Sequence, residues 1–483
     1  MMSMVAAWRM HAEERPDSPA VTVSEHPSVS WSELDCRTNQ LARAYAQLGV
    51  GEGDFVTIGL PTSVAFVQSM LATLKLGAVP QPVSSRLPAG ELAQVIEIAQ
   101  PKLVVGFDPA AHPDHRVLAD NPPLEDHDDR PLLEIVAPAY KAPTSGGSTG
   151  RPKIILAGSP AVIPVVEDRP APLGVPAESI VMFPGPLCHN MAVMGTLLGL
   201  SAGSHVVLEE RFDAELTLRL IDRHRVAFAM VVPTHMNRIW RLGAAVRERY
   251  DISSLTTLMH GGAPCPAELK HAWIDWIGPE RIIEMYTATE APAVTLCNGS
   301  EWLARPGTVG RCVIGEMAIF DADGAPVGAG EVGAIWMRRP SGSDRTYRYI
   351  GEDSHERDDG WDTAGDLGWM DNEGYLFLAD RRTDMIVSGG ANVYPAEVEA
   401  ALAAHPSVID CVAIGLPDED LGQRVHAIVQ TDTQALDEQA LREHLTDRLV
   451  RYKTPRTYEF TTLPLRDDAG KVRRSTLRDQ RAR

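Results

Sequence analysis

The sequence is poor in aromatic residues, cysteine and positive charge. Phe, Trp and Tyr make up 6% of it, and 45 basic residues stand against 65 acidic ones, a formal net charge of −20. Nucleic acid and anionic membrane call for the opposite balance, so both are excluded as general partners, although a local basic pocket for phosphate stays open. The six cysteines (Cys36, Cys188, Cys265, Cys297, Cys312, Cys411) lie far apart without a C-x-x-C. That spacing excludes a zinc ribbon or a disulfide framework and reads as free thiols in a reducing cytoplasm. No long apolar run is uninterrupted: 180–202 contains Pro184, Pro186, His189 and several glycines, and reads as buried loop and helix, with no membrane span. Met1 to Met10 is short and broken by Arg9, unlike a signal peptide. Also missing is the common nucleotide loop G-x-x-x-x-G-K-[ST], because Arg151 and Pro152 separate Gly150 from Lys153.

What the chain does have is size and alternation. Its 483 residues, 44% apolar and 23% charged, are those of a soluble globular protein of two to four domains or subdomains. Residues 1–140 alternate strand and helix patterns. Ser30 or Ser32 caps a helix carrying Leu34, Leu41 and Leu48 on one side; 54–60 is a strand, 64–76 a helix, 77–83 a buried strand and 103–107 another. The Pro-, Asp- and His-rich stretch 109–132 reads as an exposed connection, its His112, His115 and His127 solvated. Further units follow: strands 180–183, 205–208 and 228–232 with helices 191–200 and 214–223. Such alternation predicts parallel sheet covered by helices. From Gly307 glycines punctuate short strands such as 333–338, suggesting a small β-barrel-like subdomain. The last hundred residues carry helices 395–404 and 436–449 and strands 409–414 and 424–430, an α+β module with its own core.

The stretch with most chemistry is Ala142-Pro-Thr-Ser-Gly-Gly-Ser-Thr-Gly-Arg-Pro-Lys-Ile-Ile-Leu156. From Thr144 through Ser145, Gly146, Gly147, Ser148 and Thr149 to Gly150 each side chain is hydrogen or a short hydroxyl. Such a loop lets backbone N–H groups close on an anion, and Lys153 adds a mobile charge. Taken alone it also reads as a Ser/Gly linker. Gly261-Gly262-Ala263-Pro264 follows a strand-like run (255–259), and glycines there let a flat base lie against backbone. Tyr286-Thr287-Ala288-Thr289-Glu290 follows another (282–285), with Tyr286 able to cover that base and Glu290 to hold Mg²⁺ beside phosphates. Either alone also reads as an ordinary turn. Asp366, at the end of Asp362-Thr-Ala-Gly-Asp, can accept hydrogen bonds from two ribose hydroxyls. His189 and Asn190, and less strongly His235, are candidates for a substrate pocket; a core histidine is the other reading of each.

In this order and at these distances the segments resemble the adenylate-forming superfamily: acyl-CoA synthetases, peptide-synthetase adenylation domains and luciferases. The resemblance covers nearly the whole chain, including Ile386-Val-Ser-Gly-Gly-Ala-Asn-Val-Tyr-Pro-Ala-Glu-Val-Glu399 and Gly470-Lys471 near the end. The family form Thr-Ser-Gly-Thr-Thr-Gly-x-Pro-Lys-Gly is departed from by one inserted small residue and by Ile154. Thr287 and Ala288 depart from Tyr-Gly-x-Thr-Glu beside the acid pocket, which also involves Gly261.

The resemblance implies an α/β fold: a large N-terminal domain (1–383) of stacked α/β sheets with the barrel-like subdomain, and a small mobile α+β C-terminal domain (384–483). It implies an AMP-forming ligase that takes ATP, Mg²⁺, a carboxylic acid and a thiol, with CoA as the expected co-substrate. Thr144 to Lys153 would hold phosphates, Thr289 and Glu290 would act beside them with Glu290 on the metal, and Asp366 and Arg381 would hold ribose. Lys471 would act at the transition state. Asp384 falls at the hinge, and Gly389 and Gly390 on the loop that serves the thiol step. A carrier protein in place of CoA, or a small inorganic acid such as nitrite in place of the carboxylic acid, stays open. The absence of an obvious aspartate for an α-amino group favours an aryl or medium-sized acid. No pattern sets an oligomeric state.

Overall fold

The computed structural model describes residues 1–483 except 147–151, 167–168, 171–173, 291, 341–344, 352–355, 358, 382–383, 390, 434–435, 468–469 and 483. Six parallel strands form the middle of the molecule, in the spatial order Pro19–Val23, His205–Leu208, Ile180–Phe183, Phe228–Val231, Thr257–Gly261 and Ile282–Tyr286. Both faces are covered, and the inner strands alternate between two cores. Val181, Phe183, Val206, Leu208, Met230 and Met259 pack on one side with Trp8, Trp31, Tyr45 and Phe66. Met182, Val207, Ala229, Val231 and Leu258 pack on the other with Trp273 and Ile274. A period of two with both faces apolar is what a buried parallel strand requires. A second parallel sheet, Val79–Pro82, Phe55–Ile58, Leu103–Val105 and Val117–Leu118, stands beside the first.

Local chemistry explains where the helices start. Ser30 caps Trp31–Gln47 in a reciprocal capping box with Glu33, which decides between Ser30 and Ser32. Ser63 caps Val64–Lys75, and Asp213 caps Ala214–His224. The helix Pro233–Trp240 is absent from the sequence reading, which carried the preceding strand on to Val232. Pro233 sits at its first position, where a missing N–H is harmless.

The glycine-punctuated strands extend the large sheet as antiparallel neighbours. From Ile282–Tyr286 the order continues through Val294–Asn298, Thr308–Ile314, Tyr375–Arg381, Asp366–Met370, Gly333–Arg338 and Glu316–Phe320. They enclose their own core of Val309, Met317, Ile335, Met337 and Leu376.

The C-terminal residues form a five-stranded sheet around Asp410–Asp418 and Gly422–Gln430. One face carries Cys411, Ala413, Val425 and Ala427 against the helices Pro395–Ala403 and Glu438–Thr446. The other carries Val412, Ile414, Leu416 and Ile428 against Leu465, Val472 and Leu477. The tail is thereby pinned on either side of the turn that bears Lys471. No helix among the described residues is long and apolar enough to cross a membrane.

Candidate active site

The parallel strands point their carboxyl ends at one crevice. Pro184 to Asn190 follows Ile180–Phe183, Val232 to Thr234 follows Phe228–Val231, Gly262 follows Thr257–Gly261, and Thr287 to Glu290 follows Ile282–Tyr286. From Ile180–Phe183 the chain passes to His205–Leu208 on one side and then crosses back to Phe228–Val231 on the other. The loop with His189 therefore opens at a reversal of strand order, where open α/β sheets leave room for a ligand. His189 is half-buried and precedes the helix Asn190–Ser201.

The phosphate segment differs in form from the expected loop. Thr144–Gly146 is a strand, pairing with Pro152–Ala157 so that Thr144 faces Ile154, Ser145 faces Lys153 and Gly146 faces Pro152. The pairing satisfies backbone groups that a free loop would leave to solvent. Tyr347–Ile350 adds a third strand, with Tyr349 opposite Ile155. Gln81 ties this hairpin to the second sheet, accepting from Thr57 Oγ1 (2.5 Å) and donating to Thr144 Oγ1 (3.4 Å). Gly147, Ser148, Thr149 and Gly150 lie outside the described residues, and Ser145 and Gly146 are described in backbone only.

Glu290 and Lys153 meet through a residue that the motifs did not reveal. The Tyr349 hydroxyl donates to Glu290 Oε1 (2.5 Å), and the same ring lies 3.9 Å from Lys153 Nζ. Tyr347 packs edge-on against Tyr349, with centroids 4.7 Å apart, and donates to Asp362. Below lies Lys141, 4% exposed, whose ammonium donates to Asn190 Oδ1. Burial pushes this amine down to about 8, against the opposing pull of Glu290. Among the described residues no group of three or more His, Cys, Asp or Glu is placed to hold a metal ion. A single carboxylate with one oxygen already hydrogen-bonded suits a cation whose other ligands are phosphates and water, which is how Mg²⁺ usually binds.

Tyr286, Asp366 and Arg381, the residues expected to hold the nucleotide, also come together. Tyr286 donates to Asp366 Oδ2 (2.8 Å), and Asp366 faces Arg381 across an antiparallel pair. Arg381 is described in backbone only. Gly261 ends its strand so close to the next that a Cβ would lie 2.4 Å from Met285 O, so only glycine fits there. Gly262 and Pro264 are exposed and Ala263 half-buried, which leaves the turn open to the crevice. Thr287 turns inward, donating to Ala293 O (2.9 Å), and Ala288 packs on the antiparallel strands' core. Thr289 lies at the turn beside Glu290.

Beneath Gly261, His260 is wholly buried, and its ring nitrogens find no hydrogen-bond partner among the described residues. Burial holds this imidazole well below its usual range, so it is neutral. The adjacent buried pair Lys270–Glu284 (2.7 Å) ties helix Ala267–Ile277 to the strand that ends at Tyr286. His235 is buried with its ring stacked on Phe212 at 4.0 Å, which makes it a packed wall residue.

The C-terminal sheet docks beside this crevice. Arg241 donates to Val408 O (2.6 Å), Asn237 to Ile409 O (3.3 Å), and Arg473 pairs with Glu91 (3.0 Å). Gly470 is buried against Thr234, and Val232 lies within van der Waals reach of the Cβ positions of both Gly470 and Gly262. Lys471 follows at an exposed turn closed by its N–H donating to Asp467 Oδ1 (2.8 Å). Asp384 Oδ2 stands 3.8 Å from Arg474 Nε, just past that turn. Gly389, at φ +58°, donates to Leu421 O (2.9 Å). Gly390 lies outside the described residues.

Comparison with known proteins gives the same assignment as the site. Residues 8–347 match the model of the AMP-binding enzyme family, and residues 397–471 that of the AMP-binding enzyme C-terminal domain. A long-chain-fatty-acid–CoA ligase, FadD13, from Mycobacterium tuberculosis is 27% identical, with 96% of each chain covered. A feruloyl-CoA synthase from Amycolatopsis sp is 30% identical, with 95% of this chain and 96% of that one covered. The o-succinylbenzoate CoA synthetase of Bacillus subtilis, solved with its acyl-adenylate intermediate, superposes with a TM-score of 0.82 at 24% identity over 98% of both chains, which shows a shared fold. With matching models over most of its length, the chain belongs to the AMP-binding enzyme family, as an AMP-forming ligase of the acyl-CoA synthetase type.

Proposed function

We propose that the protein joins an aryl or medium-sized carboxylic acid to the thiol of CoA in two steps, at the expense of ATP. In the first, a carboxylate oxygen attacks the α-phosphorus; an O–P bond forms, the bond to the β-phosphate oxygen breaks, and pyrophosphate leaves. In the second, a thiolate sulfur attacks the acyl carbon of the adenylate; a C–S bond forms, the C–O bond breaks, and AMP leaves. The observation that carries this reading is the docking of the Lys471 turn, through Gly470, onto Thr234 beside the crevice at the strand ends.

Each residue has a physical task. Bringing two anions together requires fixed positive charge and hydrogen-bond donors where charge develops. The hairpin at Thr144 and Lys153 cradles the terminal phosphates, and Lys471 reaches between acid and α-phosphate. Tyr286 holds Asp366 against the ribose and covers the base. Glu290 would hold Mg²⁺, which neutralises phosphate charge when bound. The acid enters beside His189, Met191 and Met285, where partly buried apolar side chains border Gly261 and Gly262. The division into units 1–383 and 384–483 makes Asp384 the hinge about which the smaller unit withdraws Lys471. Gly389 and Gly390 then come towards the thiol.

The test supplies purified protein with ATP–Mg²⁺ and a panel of aryl, medium-chain and long-chain acids, and follows pyrophosphate–ATP exchange. CoA or a carrier protein is then added and AMP and thioester are measured. Acid-dependent exchange followed by CoA thioester is the expected result. Exchange without CoA thioester, but with a loaded carrier, would replace the acceptor. Absence of acid-dependent exchange with every acid would overturn the reading.

A further inference from the structure

Tyr349 is tied to the two charged groups at the phosphate end of the crevice, although its position in the sequence matches none of the segments that announced the site. It lies on a strand that pairs with Pro152–Ala157, so its place is fixed relative to Lys153 by backbone hydrogen bonds. Its ring lies 3.9 Å from Lys153 Nζ, within the range of a cation–π contact. Its hydroxyl donates to Glu290 Oε1 at 2.5 Å. Tyr349 is 9% exposed, and its ring is braced by Tyr347, itself bonded to Asp362.

The geometry points to Tyr349 as a positioning residue that presets the Glu290 carboxylate for a divalent cation and holds Lys153 over the site of the terminal phosphates. This rests on the reading of Glu290 as the metal-holding group. A carboxylate with one oxygen fixed has lost its rotational freedom before the cation arrives, so binding need not order it. Hydrogen bonds behind a metal-ligating side chain typically govern affinity by about 10- to 100-fold. The phenol and the ammonium also share one rigid strand pair, so the hydroxyl that fixes Glu290 and the ring beside Lys153 keep their places whatever the acid.

The experiment measures acid-dependent pyrophosphate–ATP exchange against free Mg²⁺ for the full chain and for Tyr349→Phe, Tyr349→Leu and Glu290→Gln. Tyr349→Phe keeps the ring and loses the hydroxyl. Its Mg²⁺ concentration for half-maximal rate should rise about tenfold, with the maximal rate regained at excess Mg²⁺ and KM for ATP unchanged there. Tyr349→Leu should in addition raise KM for ATP at saturating Mg²⁺, because Lys153 loses its ring. If the leucine variant does not fold, judged by thermal unfolding, the phenylalanine variant still decides. An unchanged Mg²⁺ requirement in Tyr349→Phe, or a loss of rate that Mg²⁺ does not restore, overturns the proposal. Glu290→Gln separates the two claims. If it leaves the Mg²⁺ requirement untouched, the metal reading of Glu290 falls and the positioning role with it; if it shifts the requirement while Tyr349→Phe does not, the positioning role alone falls.

Discussion

Gly470 and Thr234 are in contact across the two parts of the chain: a Cβ at 470 would lie 2.7 Å from Thr234 Oγ1, and Gly470 has φ +73°. Lys471 is the next residue, so the docked position of its turn depends on glycine. Gly470→Ala adds both strain and a clash, together about 1–3 kcal/mol by the usual cost of a left-handed non-glycine residue. Acid-dependent pyrophosphate exchange should fall about tenfold, since 1.4 kcal/mol is a factor of ten. Thr234→Ala in the same chain should restore part of the loss by removing the oxygen in the way. A double variant no better than the single one would show that the contact does not govern docking.

Much of this arrangement is legible in the sequence, because glycines, short hydroxyls and carboxylates at strand ends are local signals. The strands ending at Phe183, Gly261 and Tyr286 read as short apolar runs, whereas the alternation of their residues between two cores is a property of the fold. Tyr349 and Lys141 were hidden for a different reason. Tyr349 reaches Glu290 only because 347–350 pairs with 152–157, nearly two hundred residues earlier, and no local pattern encodes that pairing. Lys141 looks like a surface lysine until Asn190 and the hairpin close over it. The helix Pro233–Trp240 was hidden by Val231 and Val232, whose β-branched side chains continue the strand pattern up to its capping position.

Lys141 gives a prediction about pH. Its folded-state value is pushed down by burial to about 8 from 10.5. Between those values the unfolded chain binds the extra proton, so stability contributed by this group rises with pH there. The cost of the buried charge is full below pH 8 and is relieved as pH climbs past it. In Lys141→Met that relief is gone. Thermal unfolding from pH 7 to pH 10 should therefore show wild type gaining on the variant as pH rises, and parallel curves would refute it.

Asp384 tests the hinge. It stands 3.8 Å from Arg474 at the edge of the C-terminal sheet. Asp384→Pro restricts φ at the pivot, as proline does everywhere, and should leave pyrophosphate exchange within about threefold while lowering thioester formation about a hundredfold. Asp384→Asn, which retains backbone freedom, should be near normal in both. Equal loss in both half-reactions for the proline variant would remove the hinge role.

The most direct test of the two-step account is Lys471→Ala, assayed separately in each half-reaction. On the proposed two-step scheme, with the turn docked through Gly470, the ammonium serves acid and α-phosphate in the first step only. Removing one preorganised charge donor at a transition state costs about a hundredfold or more, so adenylate formation should fall by that factor. Thioester formation from a supplied acyl-adenylate and CoA should stay at the wild-type rate, because the lysine has left the crevice by then. A variant slowed equally in both steps, or in neither, would contradict the account.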